Sequence, residues 1–326
     1  MVSLPRIKQH TISNDLLRVS AINFGARTVQ VLLNTRAGGW IPVILALPTA
    51  EAYLDDQHYM GATVGRVAGR VSNSQYSHQG QWVQLQPNEG QHHLHGGVSG
   101  FAQSFWDSTS KQDSIQFNLF SQNGDNGYPG NLEVTNTIRV SGCDLVYRTE
   151  AVCDKDTPFN STQHNYYNLG GSATIKAHSL SINADRVLEL GPQQLPTGRT
   201  IDVKGTEFDF RKARQLGMMQ PEHESQIKAF GGLDHYFVRS NWPGGKSEDQ
   251  PPIAELSTSD YRMQVFTNQP GVQVYTGNGL NPAHQGVCIE AQHFPDSPNH
   301  RQFPSVFLKP GDVGLNETRY RFLEID

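Results

Sequence analysis

Glu290 stands at the end of an apolar run and is the strongest candidate for a chemical role in this chain. Residues 287–289 (VCI) precede it, and Gln292, His293 and the turn-forming Pro295 follow. A carboxylate at the end of a buried strand is energetically costly unless a ligand or a partner group uses it. This position therefore predicts a residue of an acid/base site.

Two histidine-bearing stretches supply the remaining acid/base candidates. Residues 91–97 read QHHLHGG, and the glycines after His95 allow a close approach to it, whereas His92 and His93 are expected at the surface. A metal site at these histidines is an alternative, but no further ligand follows at a convincing spacing. Residues 158–171 read PFNSTQHNYYNLGG. The amide and aromatic groups around His164 suit a sugar, and the alternative is a satisfied core histidine.

Two further stretches carry charged residues that could bind a polar ligand. Residues 61–74 (GATVGRVAGRVSNS) lack the established phosphate-loop patterns. A tight β-connection that aims Arg66 or Arg70 into a cleft, or two arginines at the surface, explain this stretch equally well. Asp234, in GGLDHYF, could bind hydroxyl groups or orient a histidine, although as an isolated signal a solvated turn carboxylate explains it better. Because glycosidases use paired carboxylates, a glycosidase is a further alternative. A serine hydrolase is not supported, since the sequence has no GxSxG motif.

The elements that must position these residues are mainly β-strands. Apolar and polar residues alternate with a period of two, which is the pattern of half-buried strands. The residues predicted on the buried faces are Ile115, Phe117 and Leu119; Leu132, Val134 and Ile138; Met263 and Val265; Val272 and Val274; Tyr320 and Phe322. Many strands without a break in composition predict an all-β fold, a large antiparallel β-sandwich, with residues 1–326 forming a single domain.

Few stretches depart from this strand pattern. Residues 211–217 and 222–230 look helical, and residues 240–252 read as an exposed loop inside the domain. No repeat or coiled-coil heptad interrupts the alternation.

Composition excludes several classes of function. The net charge is −5 and no cluster of lysine and arginine is present, so nucleic acid is not expected as a partner. No segment approaches the roughly 20 apolar residues that span a membrane, and the N-terminus lacks a secretory apolar region. The three cysteines, Cys143, Cys153 and Cys288, are expected to be reduced residues of a cytoplasmic protein.

Eleven stretches, in this order along the chain, resemble the aldose 1-epimerase (galactose mutarotase) family. They are GATVGRVAGR at 61–70, LHGG at 94–97, GF and FW within 100–106, GYPGNL at 127–132, TQHNYYNLGG at 162–171, PTG at 196–198, FDFR at 208–211, LDHYF at 233–237, QPGVQVYTGN at 269–278, EAQHFPD at 290–296, and FPS with LKPG within 303–311. No single motif is decisive, but eleven in register make a chance match implausible. The first 58 residues match only loosely.

The resemblance implies a β-supersandwich and an enzyme without cofactor or metal that interconverts the anomers of a free aldohexose such as galactose or glucose. Glu290 is expected to be the general base at the C1 hydroxyl, and His164 the general acid at the ring oxygen. His95 is expected to donate a hydrogen bond to the same oxygen region. The residues expected to bind sugar hydroxyls are Arg70, Asp234 and Gln273. The expected partner is a monosaccharide, and the expected state is a monomer or homodimer.

The chain departs from the family pattern at several positions. Gly69 stands where an asparagine commonly contacts the sugar, Gln163 replaces an asparagine before His164, and Tyr236 replaces an asparagine after Asp-His. The region around Trp40 also lacks the usual pattern. Because Glu290 and His164 are both present, the reaction is predicted more firmly than the substrate.

Three other functions compete with this interpretation. A hexose 6-phosphate epimerase would need a basic pocket, to which Arg66 could contribute. A sugar-binding protein without catalysis would have no need of an acid/base pair. A glycosidase or lyase on the same type of sandwich would release reducing ends from oligosaccharides.

Overall fold

The computed structural model describes residues 6–218, 226–242 and 250–325, which are almost entirely strands and loops. Its strands, in chain order, are β1 (Gln9–Ser13), β2 (Leu17–Ile22), β3 (Arg27–Asn34), β4 (Trp40–Pro42), β5 (Thr63–Val64), β6 (Arg70–Val71), β7 (Gln75–His78), β8 (Gln81–Gln84), β9 (His93–Leu94), β10 (Asp107–Ser110), β11 (Ser114–Ser121), β12 (Leu132–Ser141), β13 (Asp144–Cys153), β14 (Thr157–Pro158), β15 (Thr162–Gln163), β16 (Ser179–Ile182), β17 (Ala184–Leu190), β18 (Pro196–Asp202), β19 (Arg214–Gln215), β20 (Asp234–Arg239), β21 (Ala254–Ser257), β22 (Tyr261–Thr267), β23 (Gly271–Tyr275), β24 (Cys288–Gln292), β25 (Phe307–Leu308) and β26 (Gly314–Glu324).

Among the described residues, helical structure is confined to short turns. The 3₁₀ turns are Glu51–Asp55, Ser72–Ser74, Phe101–Gln103, Asp125–Gly127, Ile175–Ala177, Leu216–Met218 and Ser297–Asn299, and one α-helical turn covers Gln226–Ala229. No helix of the described residues is long and apolar enough to cross a membrane.

Three sheets form the body of the fold. The largest has nine strands in the order β10-β11-β12-β13-β26-β22-β21-β16-β19, the second has the order β18-β17-β20-β23-β24, and the third has the order β1-β2-β3-β4. The remaining described strands form four two-stranded ladders, β14-β25, β15-β5, β6-β9 and β7-β8. All pairings between these strands are antiparallel, so the predicted all-β, antiparallel architecture is confirmed.

The main core lies between the inner faces of these sheets. Residues from the nine-stranded sheet such as Phe117 and Leu132 share one apolar cluster with Val272 of the five-stranded sheet and Val19 of the four-stranded sheet. The predicted alternation is confirmed in β12, where even-numbered residues are buried while odd-numbered ones are exposed or half-buried. Full burial of each large apolar side chain contributes about 1.5–3 kcal/mol, which fixes the face that each strand turns inward.

The helical predictions were less successful. Residues 211–217 contain strand β19 and the start of a 3₁₀ turn, because Arg214 and Gln215 pair with β16 at the edge of the nine-stranded sheet. Of residues 222–230, Gln226–Ala229 is helical, and residues 222–225 lie outside the described part of the chain. Most of the predicted loop at 240–252, residues 243–249, also lies outside it.

Candidate active site

A cavity of about 430 Å³ lies beside the five-stranded sheet and brings together all the residues that the sequence selected for the site. These residues are Glu290, His164, His95, Arg70, Asp234 and Gln273. They come from six separate segments of the chain, so the cavity exists only in the folded protein.

Strand register explains why the polar residues of this sheet face the cavity. Gln273 of β23 is the direct partner of Glu290 of β24 and of Tyr236 of β20. Directly opposed residues on antiparallel strands share a face, and Asp234, two residues before Tyr236, shares it as well. The alternate residues Val272, Val274 and Ile289 are fully buried in the main core on the opposite face.

Asp234 is the first residue of β20 and does not lie in a solvated turn. Its Oδ1 accepts a 2.7 Å hydrogen bond from Gln273 Nε2. Burial raises the pKa of the Asp234 carboxyl, against the lowering effect of Arg70. The amide and the carboxylate thus form a connected polar pair in the cavity, suited to hydroxyl groups.

A backbone ladder holds His164 against strand β24. Thr162 and Gln163 pair with β5, and the ladder continues because His164 N donates to Ala62 O at 2.9 Å and Gly61 N donates to His164 O at 2.9 Å. Thr162 Oγ1 in turn donates to Ala291 O of β24 at 3.1 Å. These bonds place the imidazole beside Glu290.

Glu290 and His164 form a buried pair with an open gap between them. Their side chains are 2% and 6% exposed, and His164 Nε2 lies 3.7 Å from Glu290 Oε1. That separation exceeds a hydrogen bond, so both atoms can engage a third group. Glu290 Oε2 is buried without a hydrogen-bond partner among the described residues. An orphaned buried carboxylate oxygen is costly, and a ligand hydroxyl would satisfy it.

Burial shifts both members of this pair toward their neutral forms. It raises the pKa of Glu290 well above its usual range, and the nearby Asp234 carboxylate acts in the same direction. It lowers the pKa of His164 to about 4. Opposed shifts of this kind are typical of proton-transfer pairs.

His95 reaches the same cavity from a strained loop. Its backbone is left-handed with φ +52°, and so is that of Tyr59 with φ +54°; the two rings lie 4.7 Å apart. Gly96 permits this loop, because a Cβ there would lie 1.7 Å from the carbonyl oxygen of Gly65. Gly69 N donates to His95 Nδ1 at 3.3 Å, which leaves the ring proton on Nε2.

The two arginines of residues 61–74 have different surroundings. Arg70 lines the cavity and makes a two-pronged ion pair with Glu89, at 2.6 and 2.8 Å. Arg66 is 2% exposed and lies outside this cavity; its guanidinium donates to Ser121 and to other oxygen atoms of the fold. The suggestion that Arg66 contributes to a phosphate pocket is therefore wrong.

The surface positions expected for His92 and His93 are also wrong. His93 is fully buried, and its ring nitrogens contact Gln86 O at 2.6 Å and Tyr128 Oη at 2.8 Å. His92 accepts a hydrogen bond from Asn73 N at 3.1 Å. Both rings form hydrogen bonds that connect loops, and a run of polar residues in the sequence does not predict such buried contacts.

His164, Cys288 and Glu290 form the one group of described residues whose donor atoms are clustered closely enough to hold a metal ion, with all three atoms within 4.8 Å of one another. The thiol, however, contacts Nδ1 of the ring at 3.5 Å, whereas the carboxylate lies nearest Nε2. Because a single ion binds only one ring nitrogen, a linear arrangement of thiol, imidazole and carboxylate fits these contacts better than a metal centre does.

Sequence reasoning missed three residues of the site. Tyr59 and Gln292 line the cavity, and Cys288 lies behind His164. The parity of β24 could have identified two of them, since residues 288, 290 and 292 share a face. The place of Tyr59 depends on the loop conformation and could not have been read from its sequence.

The three departures from the family pattern have local explanations. Gln163 is 7% exposed, and its amide donates to Gly61 O at 2.6 Å, so it supports the backbone. Tyr236 is buried, and its hydroxyl donates to Gln292 O at 2.9 Å. Gly69 has φ +74°, and a Cβ there would lie 3.0 Å from Pro295 Cβ and 3.8 Å from Gln292 Nε2.

Comparison with known proteins supports this description. A sequence model of the family described as aldose 1-epimerase matches residues 8–321. Human galactose mutarotase is 34% identical over 97% of this chain and 94% of its own length, and Escherichia coli aldose 1-epimerase is 32% identical over 95% and 93%.

Solved structures agree with the sequence comparison. An aldose epimerase homologue from C. elegans superposes with a TM-score of 0.90 at 27% identity, covering 98% of this chain and 100% of that one. Galactose 1-epimerase from Lactobacillus acidophilus superposes with a TM-score of 0.87 at 32% identity, covering 98% and 99%.

Proposed function

Because the chain belongs to the aldose 1-epimerase family, we propose that it interconverts the α and β anomers of free aldohexoses such as galactose and glucose. The observation that carries this proposal is the pairing of Glu290 with His164 in one cavity. The cavity, at about 430 Å³, is within the range of small-molecule sites.

The reaction needs a base and an acid at two oxygens of the sugar. Glu290 removes the proton from the C1 hydroxyl, the C1–O5 bond breaks as the C1=O1 bond forms, and Nε2 of protonated His164 gives a proton to O5. Rotation about C1–C2 then presents the other face of the aldehyde. Closure returns both protons along the same routes and yields the other anomer.

The buried position of the pair favours ring opening. Ring opening starts from the carboxylate and imidazolium, which these pKa shifts make the less populated form of the pair near pH 7, and it leaves both groups neutral. Because burial disfavours both charged forms, as the raised pKa of Glu290 and lowered pKa of His164 show, it drives the proton transfers forward. Each positioned acid or base typically contributes about 10²–10⁴ in rate.

The remaining cavity residues suit recognition of an uncharged sugar. His95 presents Nε2–H as a donor near His164, whose ring centroid is 5.4 Å away. Arg70, Asp234 and Gln273 offer donors and acceptors for ring hydroxyls. Among the described residues that line the cavity, Arg70 is the one arginine or lysine, and Glu89 already pairs with it. This favours a free aldose over a hexose phosphate.

Polarimetry of freshly dissolved α-D-galactose and α-D-glucose tests the proposal. We expect the purified protein to accelerate the approach to the anomeric equilibrium of at least one sugar, without inhibition by glucose 6-phosphate at similar concentration. Absence of acceleration on either sugar would contradict it. Release of reducing ends from oligosaccharides would instead indicate a glycosidase or lyase.

A further inference from the structure

Cys288 contacts the one ring nitrogen of His164 that faces away from Glu290. It is the first residue of β24, shares a face with Glu290 and is fully buried. Its Sγ lies 3.5 Å from His164 Nδ1. The thiol also forms a side-chain hydrogen bond with Tyr166 and packs in an apolar cluster with Met60, Tyr166 and Leu280.

The proposed reaction requires Nδ1 of His164 to keep its proton. Protonated His164 carries hydrogen on both ring nitrogens, and after Nε2 gives its proton to O5 the neutral ring retains the proton on Nδ1. Nδ1 therefore stays protonated throughout the cycle. An acceptor beside Nδ1 would hold this proton and leave Nε2 as the sole site of exchange.

We propose that Cys288 is a positioning residue whose sulfur accepts a hydrogen bond from Nδ1–H of His164 and thereby reserves Nε2 for proton exchange with the sugar. The inference rests on the proposed function for its catalytic meaning. The hydrogen bond itself is independent of any activity.

A thiol suits this role better than a carboxylate does. Burial raises the pKa of the Cys288 thiol well above its usual range, so the sulfur is an uncharged and weak acceptor. A carboxylate at that place would stabilise the imidazolium and weaken His164 as an acid. The sulfur of Cys288 thus holds His164 in its Nδ1–H tautomer, while the pKa of His164 remains low, at about 4.

The contrast with His95 supports the assignment. Nδ1 of His95 accepts from the backbone N–H of Gly69, which forces the proton onto Nε2 and makes His95 a fixed donor. Two neighbouring histidines are thus held in opposite tautomers by different partners. One is arranged to donate a hydrogen bond, the other to exchange a proton.

The tautomer can be measured directly by ¹⁵N NMR of the full-length protein labelled in histidine. The signals of His164 are identified by their loss in His164→Asn. We expect neutral wild-type His164 to carry its proton on Nδ1 near pH 7, and Cys288→Ser to keep it there. Cys288→Ala should populate the Nε2–H form. A wild-type ring protonated on Nε2 would overturn the proposal.

Kinetics of the same variants supply the second readout. We expect Cys288→Ala to lower kcat about tenfold with KM unchanged, and Cys288→Ser to recover kcat to within about threefold. Cys143→Ala, at a cysteine far from the cavity, serves as the control and should match wild type. Equal kcat and an equal tautomer in Cys288→Ala and wild type would contradict the role of the thiol.

The two readouts separate this inference from the proposed function. If wild type does not accelerate mutarotation, the proposed function fails, whereas the NMR result still decides whether Cys288 controls the tautomer. If wild type is active and Cys288→Ala retains the Nδ1–H form, only the positioning role is refuted.

Discussion

The proposed chemistry of this protein depends on two residues whose surroundings oppose their charges. Sequence reasoning identified Glu290 because a carboxylate at the end of an apolar run is conspicuous. It found His164 through its amide and aromatic neighbours, but no pattern showed that the two would lie 3.7 Å apart. Their separation in space, and hence their partnership, follows from the tertiary fold.

The shifted pKa values of this pair predict a bell-shaped dependence of kcat/KM on pH. The active pair carries one exchangeable proton, so activity falls at low pH when both groups are protonated and at high pH when both have lost their protons. The lower limb should lie near the pKa of about 4 of His164, and the upper limb at the raised pKa of Glu290. Polarimetric rates, corrected for spontaneous mutarotation, would measure this; a flat profile from about pH 3.5 to 9 would refute the pairing.

Removing the proposed acid should be as damaging as removing a base. We expect His164→Asn to lower kcat by roughly two to four decades, because the amide cannot protonate O5. His78→Asn, at a histidine that pairs with Asp156 outside the cavity, should retain wild-type turnover. Equal turnover of the two variants would remove His164 from the mechanism.

At the scale of elements, the site is assembled by three neighbouring strands and the loops that face them. Period-two alternation predicted the parity of β23, and with it the buried Val272 and Val274. The pairing of β20, β23 and β24 joins residues 13 or more positions apart and could not be derived from local pattern. The register in which these strands pair could not be predicted from the sequence either.

A buried ion pair anchors the loop that carries Tyr59 to the rim of the cavity. Arg27 Nη1 donates to Asp56 Oδ2 at 2.5 Å, and both side chains are almost fully buried. Asp56 also accepts from the backbone N–H groups of His58 and Met60 at 3.0 and 2.7 Å. The loop conformation thus depends on one carboxylate.

We expect Asp56→Ala to lower the free energy of unfolding by about 3–5 kcal/mol, since it leaves the Arg27 charge buried and unpaired. KM for the sugar should also rise, because Tyr59 loses its support. Urea denaturation and steady-state kinetics measure the two effects. Asp55→Ala, at the exposed neighbour, is the matched control and should be close to wild type. Identical stability of both variants would show that the ion pair is unimportant.

At the scale of the whole molecule, the main core draws on residues from Ile12 to Phe322 and on all three large sheets. We propose on this basis that the chain forms a single domain, as its sequence predicts. The largest share of the fold was accessible from sequence, because alternation and turn residues are local. The short helical turns were not, since edge pairing of Arg214 and Gln215 with β16 overrides a local helical preference.

Acid should destabilise the folded protein well before its surface carboxylates titrate. Six described histidines in the interior or lining the cavity have lowered pKa values, so below about pH 6.5 the unfolded chain binds protons that the folded state takes up only at a lower pH. They are His93, His95, His164, His178, His235 and His293. Glu290 and Asp234, with raised pKa values, act in the opposite direction but are fewer.

For each net proton that the chain takes up on unfolding, the free energy of unfolding falls by about 1.4 kcal/mol when the pH is lowered by one unit. Urea denaturation between pH 7.5 and 4.5 should therefore show a falling midpoint, with tryptophan fluorescence and far-ultraviolet circular dichroism reporting one coincident transition. A midpoint that is constant over this range would contradict the burial of neutral histidines. Separate transitions would contradict the single domain.

The proposed role of Glu290 as the base of a mutarotase is tested by comparing wild type, Glu290→Gln and Glu133→Gln on fresh α-D-galactose and α-D-glucose. Glu133 is an exposed glutamate of β12 and serves as the matched control. We predict that Glu290→Gln alone loses roughly two to four decades of kcat, while calorimetry shows sugar binding within about threefold of wild type. Near wild-type turnover of Glu290→Gln would contradict the account.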